Sequence, residues 1–325
     1  MWTRLLVTAI LAHASSGVWA AKTPAEFYPG KPIRLIVGPP GGSSDFIARI
    51  VGPRLSERLG QPVLVENRSA GAGGNIAAEL LTRANPDGHT LMLALNPQLA
   101  SSPSLYSNLG FDLMKDFSYV SLVATGANVM LSHPSLPVKS VPEFIAYAKA
   151  RPQTIRYGSS GVASPHHLAG ELLQSRTGIQ LVHVPYKGSA SSVVALIAGE
   201  VHIGFTGVPG ALPMVTAKRL NALAIASAKR VEAMPGVPTV AESGVPGFDV
   251  TNIFGVLAPV GTPAAVIKRL NTELSEIFQM SDVKTKLVEQ GLEAAGSTPA
   301  EWRASMQKDI ARWARVIKEA KISPE

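Results

Sequence analysis

Four glycine- and serine-rich turns carry the residues best suited to chemistry in this 325-residue chain. Each follows an apolar run and opens a helical pattern. The first reads Gly38-Pro39-Pro40-Gly41-Gly42-Ser43-Ser44-Asp45. Glycines let backbone approach a ligand closely, and the first N–H groups of a helix form an anion site. Ser43 and Ser44 add hydroxyl donors. A phosphate loop ends in Gly-Lys-Ser/Thr, and no Lys stands here. Taken alone, this turn fits a plain helix cap equally well.

The second turn, Ser69-Ala70-Gly71-Ala72-Gly73-Gly74-Asn75-Ile76, invites a dinucleotide reading. The G-x-G-x-x-G fingerprint fails at Ile76, and the turn follows the second strand rather than the first. The third runs from Gly158 through Ser159, Ser160, Gly161 and Ser164 to His166 and His167. A hydrolase elbow needs G-x-S-x-G, but only one residue separates Gly158 from Ser160. Ser160 with His166 remains the pairing that an exported hydrolase would use. Adjacent histidines on a helix point about 100° apart and do not grip one metal in the i, i+4 manner. His183 and His202 occupy strand positions and read as structural. The fourth turn, Pro185-Tyr186-Lys187-Gly188-Ser189, offers an aromatic hydroxyl and a cation. Together the first, third and fourth turns present backbone N–H groups, hydroxyls and few carboxylates, which suits a small carboxylate ligand. No acid pair and no metal-ligand set appears, so neither a cofactor nor a metal is expected.

Alternating strands and helices must position these turns. Ile33 to Val37 reads as a buried strand and Ser44 to Leu59 as a helix, with Gly52-Pro53 predicting a kink or early break. Pro62 to Val65, Asn75 to Ala84 and Thr90 to Leu95 continue the pattern as βαβαβ, which calls for a parallel sheet. The rhythm resumes with a helix over Ser140 to Ala150, a strand over Ile155 to Tyr157 and a helix capped by Ser164. Strands over Leu181 to Val184, His202 to Phe205 and Ala222 to Ala226 follow. A helix over Ser189 to Ala198 and a short one around Met214 separate them. After a Pro- and Gly-rich loop, Ile253 to Leu257 is a strand and the tail is helical. Thr298, Pro299 and Glu301 open the last helix, whose Trp302, Met306, Ile310, Trp313 and Ile317 recur at helical spacing for packing. Two α/β blocks, about Phe27 to Ala124 and Gly126 to Gly247, with a returning C-terminal segment, suggest a ligand cleft between lobes.

Composition bounds the function. Lys+Arg 30 against Asp+Glu 23 gives a net charge of +7. The basic residues are spread along the chain, without the stripe a nucleic-acid binder needs. Cys 0 removes disulfide scaffolds, thiol nucleophiles and Cys-held metals. Met1 to Ala20 reads as a signal peptide: Arg4, an apolar run from Leu5 to Ala12, and Val18-Trp19-Ala20 before a cut after Ala20. The expected location is the periplasm.

The turns also resemble a known family, the Bug-type receptors of tripartite tricarboxylate transporters. The resemblance runs through Tyr28-Pro29-Gly30-Lys31-Pro32, Pro40-Gly41-Gly42-Ser43-Ser44-Asp45, Gly60-Gln61-Pro62-Val63, Val65-Glu66-Asn67-Arg68 and Gly71-Ala72-Gly73-Gly74-Asn75. It continues through Pro86-Asp87-Gly88-His89-Thr90, His167-Leu168-Ala169-Gly170-Glu171, Val184-Pro185-Tyr186-Lys187-Gly188 and Leu257-Ala258-Pro259. It implies a two-lobed α/β periplasmic binding protein of type II. Lobe one would take residues 21–125 and 248–325, and lobe two 126–247. It implies a monomeric solute receptor that binds a small organic acid and passes it to membrane permease subunits, or to a sensor protein in a signalling role. The implied site comprises Gly41, Gly42, Ser43, Ser44, Asp45 and Asn96 from lobe one. Lobe two supplies Ser159, Ser160, Gly161, Ser164, Tyr186, Lys187, Gly188 and Thr206. His167 reads as a support for its helix. The chain departs from the family pattern at His202, where Asp is frequent, and at Ser44, where Thr is common.

Overall fold

The computed structural model describes residues 30–68, 74–320 and 322. The expected signal peptide, Tyr28-Pro29 and the Ser69 to Gly73 portion of the second turn lie outside the described residues.

Apolar runs form the central strands of the first sheet, such as IRLIV and TLMLAL. β1 (Ile33–Val37) leads into α1 (Ser43–Leu59), then β2 (Val63–Asn67), α2 (Asn75–Thr82), β3 (Thr90–Leu95) and α3 (Asn96–Leu105). β1 pairs in parallel with both β2 and β3, as the βαβ rhythm requires. The helix break expected at Gly52-Pro53 does not occur, and α1 continues to Leu59. Gly52 faces the methyls of Val65 and Val63, so a close helix–sheet contact holds the segment in place.

β4 (Phe117–Gly126) and β5 (Asn128–Ser132) form a nearly continuous extended run, with Ala127 alone between them. They belong to different sheets, so the chain crosses there. The second sheet collects β6 (Arg156–Ser159), β7 (Val182–Pro185), β8 (Ile203–Gly207) and β9 (Asn221–Ile225). Its helices are α4 (Val141–Lys149), α5 (Pro165–Thr177), α6 (Ser189–Ile197) and α7 (Val208–Thr216). The chain then returns to the first sheet as β10 (Asn252–Pro259), followed by α8 (Ala264–Gln279), α9 (Ser281–Val288), β11 (Leu292–Ala294) and α10 (Pro299–Ala320).

The first sheet runs β11-β4-β10-β3-β1-β2 and the second β7-β6-β8-β5-β9. The parallel expectation is corrected at the crossing strands. β10 is antiparallel to β3 and β4, and β5 is antiparallel to β8 and β9. A strand that enters from the other sheet arrives without a βαβ crossover, so nothing forces it to be parallel. The fold is therefore two-lobed α/β, with one sheet per lobe.

α10 packs as its spacing predicts: Trp302, Met306, Trp313 and Ile317 are buried in a core cluster that takes residues from both lobes. Its capping box is complete, with Glu301 N–H donating to Thr298 Oγ1 at 3.2 Å and Thr298 N–H to Glu301 Oε2 at 2.8 Å. Trp302 lies edge-on to Tyr119 at 5.0 Å. Among the described residues, no helix is long and apolar enough to cross a membrane.

Candidate functional site

Every strand-to-helix turn at the cleft begins a helix, and five helix N-termini meet at one cavity of about 100 Å³. α1 contributes Gly42, Ser43 and Ser44. α3 contributes Leu95 and Gln98, and α5 contributes Pro165 and His166. α6 brings Gly188 and Ser189, and α7 brings Gly207, Pro209 and Gly210. Ser160, Thr206, Asn252 and Phe254 complete the polar and apolar walls. Both lobes therefore supply lining residues.

Three of these helices carry Pro in the first turn: α3, α5 and α7. Proline removes an N–H there. The first turns of α1 and α6 keep all of theirs. Their N-cap residues, Gly42 and Gly188, have no side chain to accept them. The first free helical N–H groups of both lobes thus face a cavity without a capping acceptor. No Asp, Glu, Lys or Arg lines the cavity. Its electrostatic bias comes from backbone N–H groups and helix dipoles, which favour an anion.

Asp45 is buried and turned toward its own loop. It accepts from Gly41 N–H at 3.1 Å, Asn67 Nδ2 at 2.9 Å and Arg49 Nε at 3.0 Å. Burial alone pushes its carboxyl up, but these donors together hold it below its ordinary value. The charge is thereby neutralised locally, and the Gly41-Gly42 backbone is shaped for the cavity.

Of the residues expected at the site, Gly41, Gly42, Ser43, Ser44, Ser160, Gly188 and Thr206 lie on the cavity wall. The other seven are placed behind or beside it. Asn96 is fully buried, accepting from Trp302 Nε1 at 3.0 Å and donating to Asp309 Oδ2 at 3.2 Å. Ser159 Oγ is 2.7 Å from His183 Nε2 and accepts from the Gly161 N–H at 3.1 Å. Ser164 caps α5 by accepting from His167 N–H at 3.2 Å. Tyr186 OH donates to Glu200, and Lys187 is exposed. His167 accepts from Ala163 N–H and stacks on His183 at 4.0 Å between ring centres, a supporting role for its helix.

Sequence reading missed the wall made by Pro209, Gly210, Asn252 and Phe254. One signal was available: Gly207-Val208-Pro209-Gly210 leaves a strand and opens a helix with an early Pro, the same grammar as the turn after β6. Nothing local marks Asn252 and Phe254, which reach the cavity only because β10 returns to the first sheet.

Ser160 and His166, separated by six residues in sequence, do meet. Ser160 Oγ stands 2.7 Å from His166 Nδ1, and His166 Nε2 stands 3.2 Å from Asn128 Oδ1. Burial holds the His166 imidazole neutral, with its pKa pushed down to about 4.

Two α/β lobes closing on an uncharged, donor-rich cavity define a solute-binding protein. A family model described as "Tripartite tricarboxylate transporter family receptor" matches residues 47–322, and the chain belongs to that family. Protein BugT of Bordetella pertussis is 38% identical over 319 residues, covering 98% of this chain and 97% of that one. Rpa4515 of R. palustris, with adipate, superposes with a TM-score of 0.87 at 36% identity, over 92% of this chain and 100% of that one. MatC from Rhodopseudomonas palustris, with bound malate, gives 0.81 at 30% identity, over 88% and 99%.

Proposed function

We propose that this protein is a periplasmic receptor that binds a small organic carboxylate between its lobes and delivers it to the permease subunits of a tripartite transporter. It acts as a monomer, does no chemistry on the ligand and is released from its signal peptide after Ala20. The observation that carries this reading is the meeting of uncapped, Pro-free helix starts from both lobes at a cavity without acidic side chains. Membership of a transporter receptor family supports delivery to a permease. The lobes divide at 125/126 and 247/248, in keeping with the change of sheet at Ala127 and the return at β10. The ligand's carboxylate meets Gly42, Ser43 and Ser44 on one side and Gly188 on the other. Adipate and malate, named with two related structures, set the chemical class to try first.

Each helix start favours an anion by about 0.3–1 kcal/mol when exposed and up to about 2 when partly buried. Several such donors, with hydroxyls and wall contacts, approach the ~8 kcal/mol of micromolar binding. A thermal-shift screen of mono-, di- and tricarboxylates tests the reading. At least one acid should raise the melting temperature at millimolar concentration. Flat curves throughout would reject the receptor assignment.

A second reading draws on the Ser160–His166–Asn128 chain, which has the layout of a serine nucleophile with its base. Two features weigh against it. A base depressed to about pH 4 takes up a proton poorly at neutral pH, and Asn128 brings no charge to stabilise an imidazolium. A fluorophosphonate should therefore leave the intact mass of the protein unchanged. A stoichiometric adduct on Ser160 would favour the hydrolase.

A further inference from the structure

The hydrogen-bond chain behind Ser160 fixes where every proton in it sits. Asn128 Nδ2 lies 3.0 Å from the Val250 carbonyl oxygen, which only accepts. The amide nitrogen of Asn128 therefore points there, and its Oδ1 points the other way. That oxygen accepts from Asn252 Nδ2 at 3.0 Å and faces His166 Nε2 at 3.2 Å. An amide oxygen cannot donate, so the His166 proton sits on Nε2. A neutral imidazole carries one N–H, and burial keeps this ring neutral. Nδ1 is then bare, and at 2.7 Å it takes the only hydrogen that Ser160 Oγ has.

Ser160 lies on the cavity wall with its proton committed to the protein. What it shows the cavity is lone pairs. Most other polar groups at the wall, such as Ser43, Ser44 and the first N–H groups of α1 and α6, are able to donate. We infer that the cavity has a built-in polarity: Ser160, aligned by His166, Asn128 and Asn252, is a specificity residue that accepts a hydrogen bond from the ligand, so the preferred ligand is a carboxylate that also carries a donor, such as a hydroxyl, beside its acid group. This rests on the carboxylate-receptor reading above and narrows its ligand class. A carboxylate oxygen placed against Ser160 meets an oxygen lone pair instead of a hydrogen and is disfavoured.

The same chain ties the wall to the crossings between sheets. Asn128 opens β5 directly after Ala127, and Asn252 opens β10. The serine's orientation is thus set by backbone that both lobes share, not by a surface loop free to rearrange.

Matched acid pairs that differ only by one hydroxyl test the inference: lactate and propionate, malate and succinate, 2-hydroxyglutarate and glutarate. Each is titrated by calorimetry into the wild-type protein and into Ser160→Ala. In the pair that fits the cavity, the hydroxy acid should bind at least about tenfold more tightly to the wild type. Ser160→Ala should abolish that preference while still binding the plain acid. Equal or tighter binding of the plain acid to the wild type overturns the inference and leaves the receptor reading standing. Persistence of the preference in Ser160→Ala does the same. Absence of binding by all six acids overturns this inference, and the receptor reading falls with it only if the wider thermal-shift screen is flat as well. A ligand-free check is nitrogen-15 NMR of the His166 ring. The Nε2–H tautomer is expected, and an Nδ1–H tautomer overturns the proton assignment.

Discussion

Removing the Asn96 side chain leaves two buried partners stranded. Trp302 Nε1 loses its acceptor, and Asp309, whose carboxyl burial already raises, loses a donor. Unsatisfied buried groups cost about 1–3 kcal/mol each. Asn96→Ala should therefore lower stability by about 2–4 kcal/mol in urea unfolding, while ligand affinity of the folded protein stays close to wild type. A large loss of affinity without loss of stability would instead place Asn96 at the ligand. At this scale the sequence was legible wherever the residue's own turn opens on the cavity, as at Gly42, Ser43, Ser44, Ser160 and Gly188. It was not legible for Asn96 or Asp45. Side-chain direction at a strand end depends on partners such as Trp302 and Asn67, and these lie far away in sequence.

Among the elements, α10 and the β6–α5–β7 unit each give a prediction. Gly255 on β10 lies against the indole of Trp302, with no room for a Cβ. Gly255→Ala should cost about 1–3 kcal/mol by overpacking, and Trp302→Ala about 3–5 kcal/mol by cavity formation, both read from denaturant midpoints. The second unit stacks Tyr157, His183 and His167, with the Tyr157 hydroxyl donating to Glu171. Burial pushes His166 and His183 down to about 4 from an ordinary 6.5, and burial together with the neighbouring His183 brings His167 to about 3. The unfolded chain then binds more protons than the folded one below pH 6.5. Stability from these groups is full above pH 6.5 and is lost as pH falls through about 4 to 3. The slope is about 1.4 kcal/mol per pH unit for each histidine. Glu171, whose carboxyl burial raises, has the opposite sign and gives stability back as it protonates. Urea midpoints should fall steadily from pH 7 to 5, and a flat profile would show that the histidines titrate normally. Element types were largely readable from apolar periodicity. The pair β4 and β5 was not, because Ser118, Ser121 and Thr125 interrupt the apolar residues of this stretch without a clean period; Gly126 marks the division between blocks but not the two strands that flank it. The early break that Gly52-Pro53 allows does not occur, because packing of α1 on β2 outweighs the loss of one helical hydrogen bond.

For the molecule as a whole, two close approaches between the lobes lie beside the cavity. A Cβ placed on Gly207 would stand 2.9 Å from Ser43 Oγ, and one on Gly188 would stand 3.9 Å from Pro39 Cβ. Gly207 has an ordinary φ of −61°, so a larger residue strains no backbone in an open form. Gly207→Val should hold the lobes apart and weaken ligand binding by tenfold or more, with unfolding of the ligand-free protein nearly unchanged. The ligand closes the lobes only by the amount it binds the closed state better, which a wedge at residue 207 directly reduces. The two-lobed plan was readable from the repeated α/β rhythm. The meeting of Gly207 with Ser43 was not, because it depends on how elements of two different sheets approach each other.

The most direct measurement is a crystal structure of the protein with the acid that gives the largest thermal shift. Its carboxylate is predicted to lie between the lobes, within hydrogen-bond distance of first-turn N–H groups at Ser43 or Ser44 and at Ser189. An acid bound elsewhere on the molecule, or one seated in the cavity with its carboxylate turned away from both helix starts, would contradict the account.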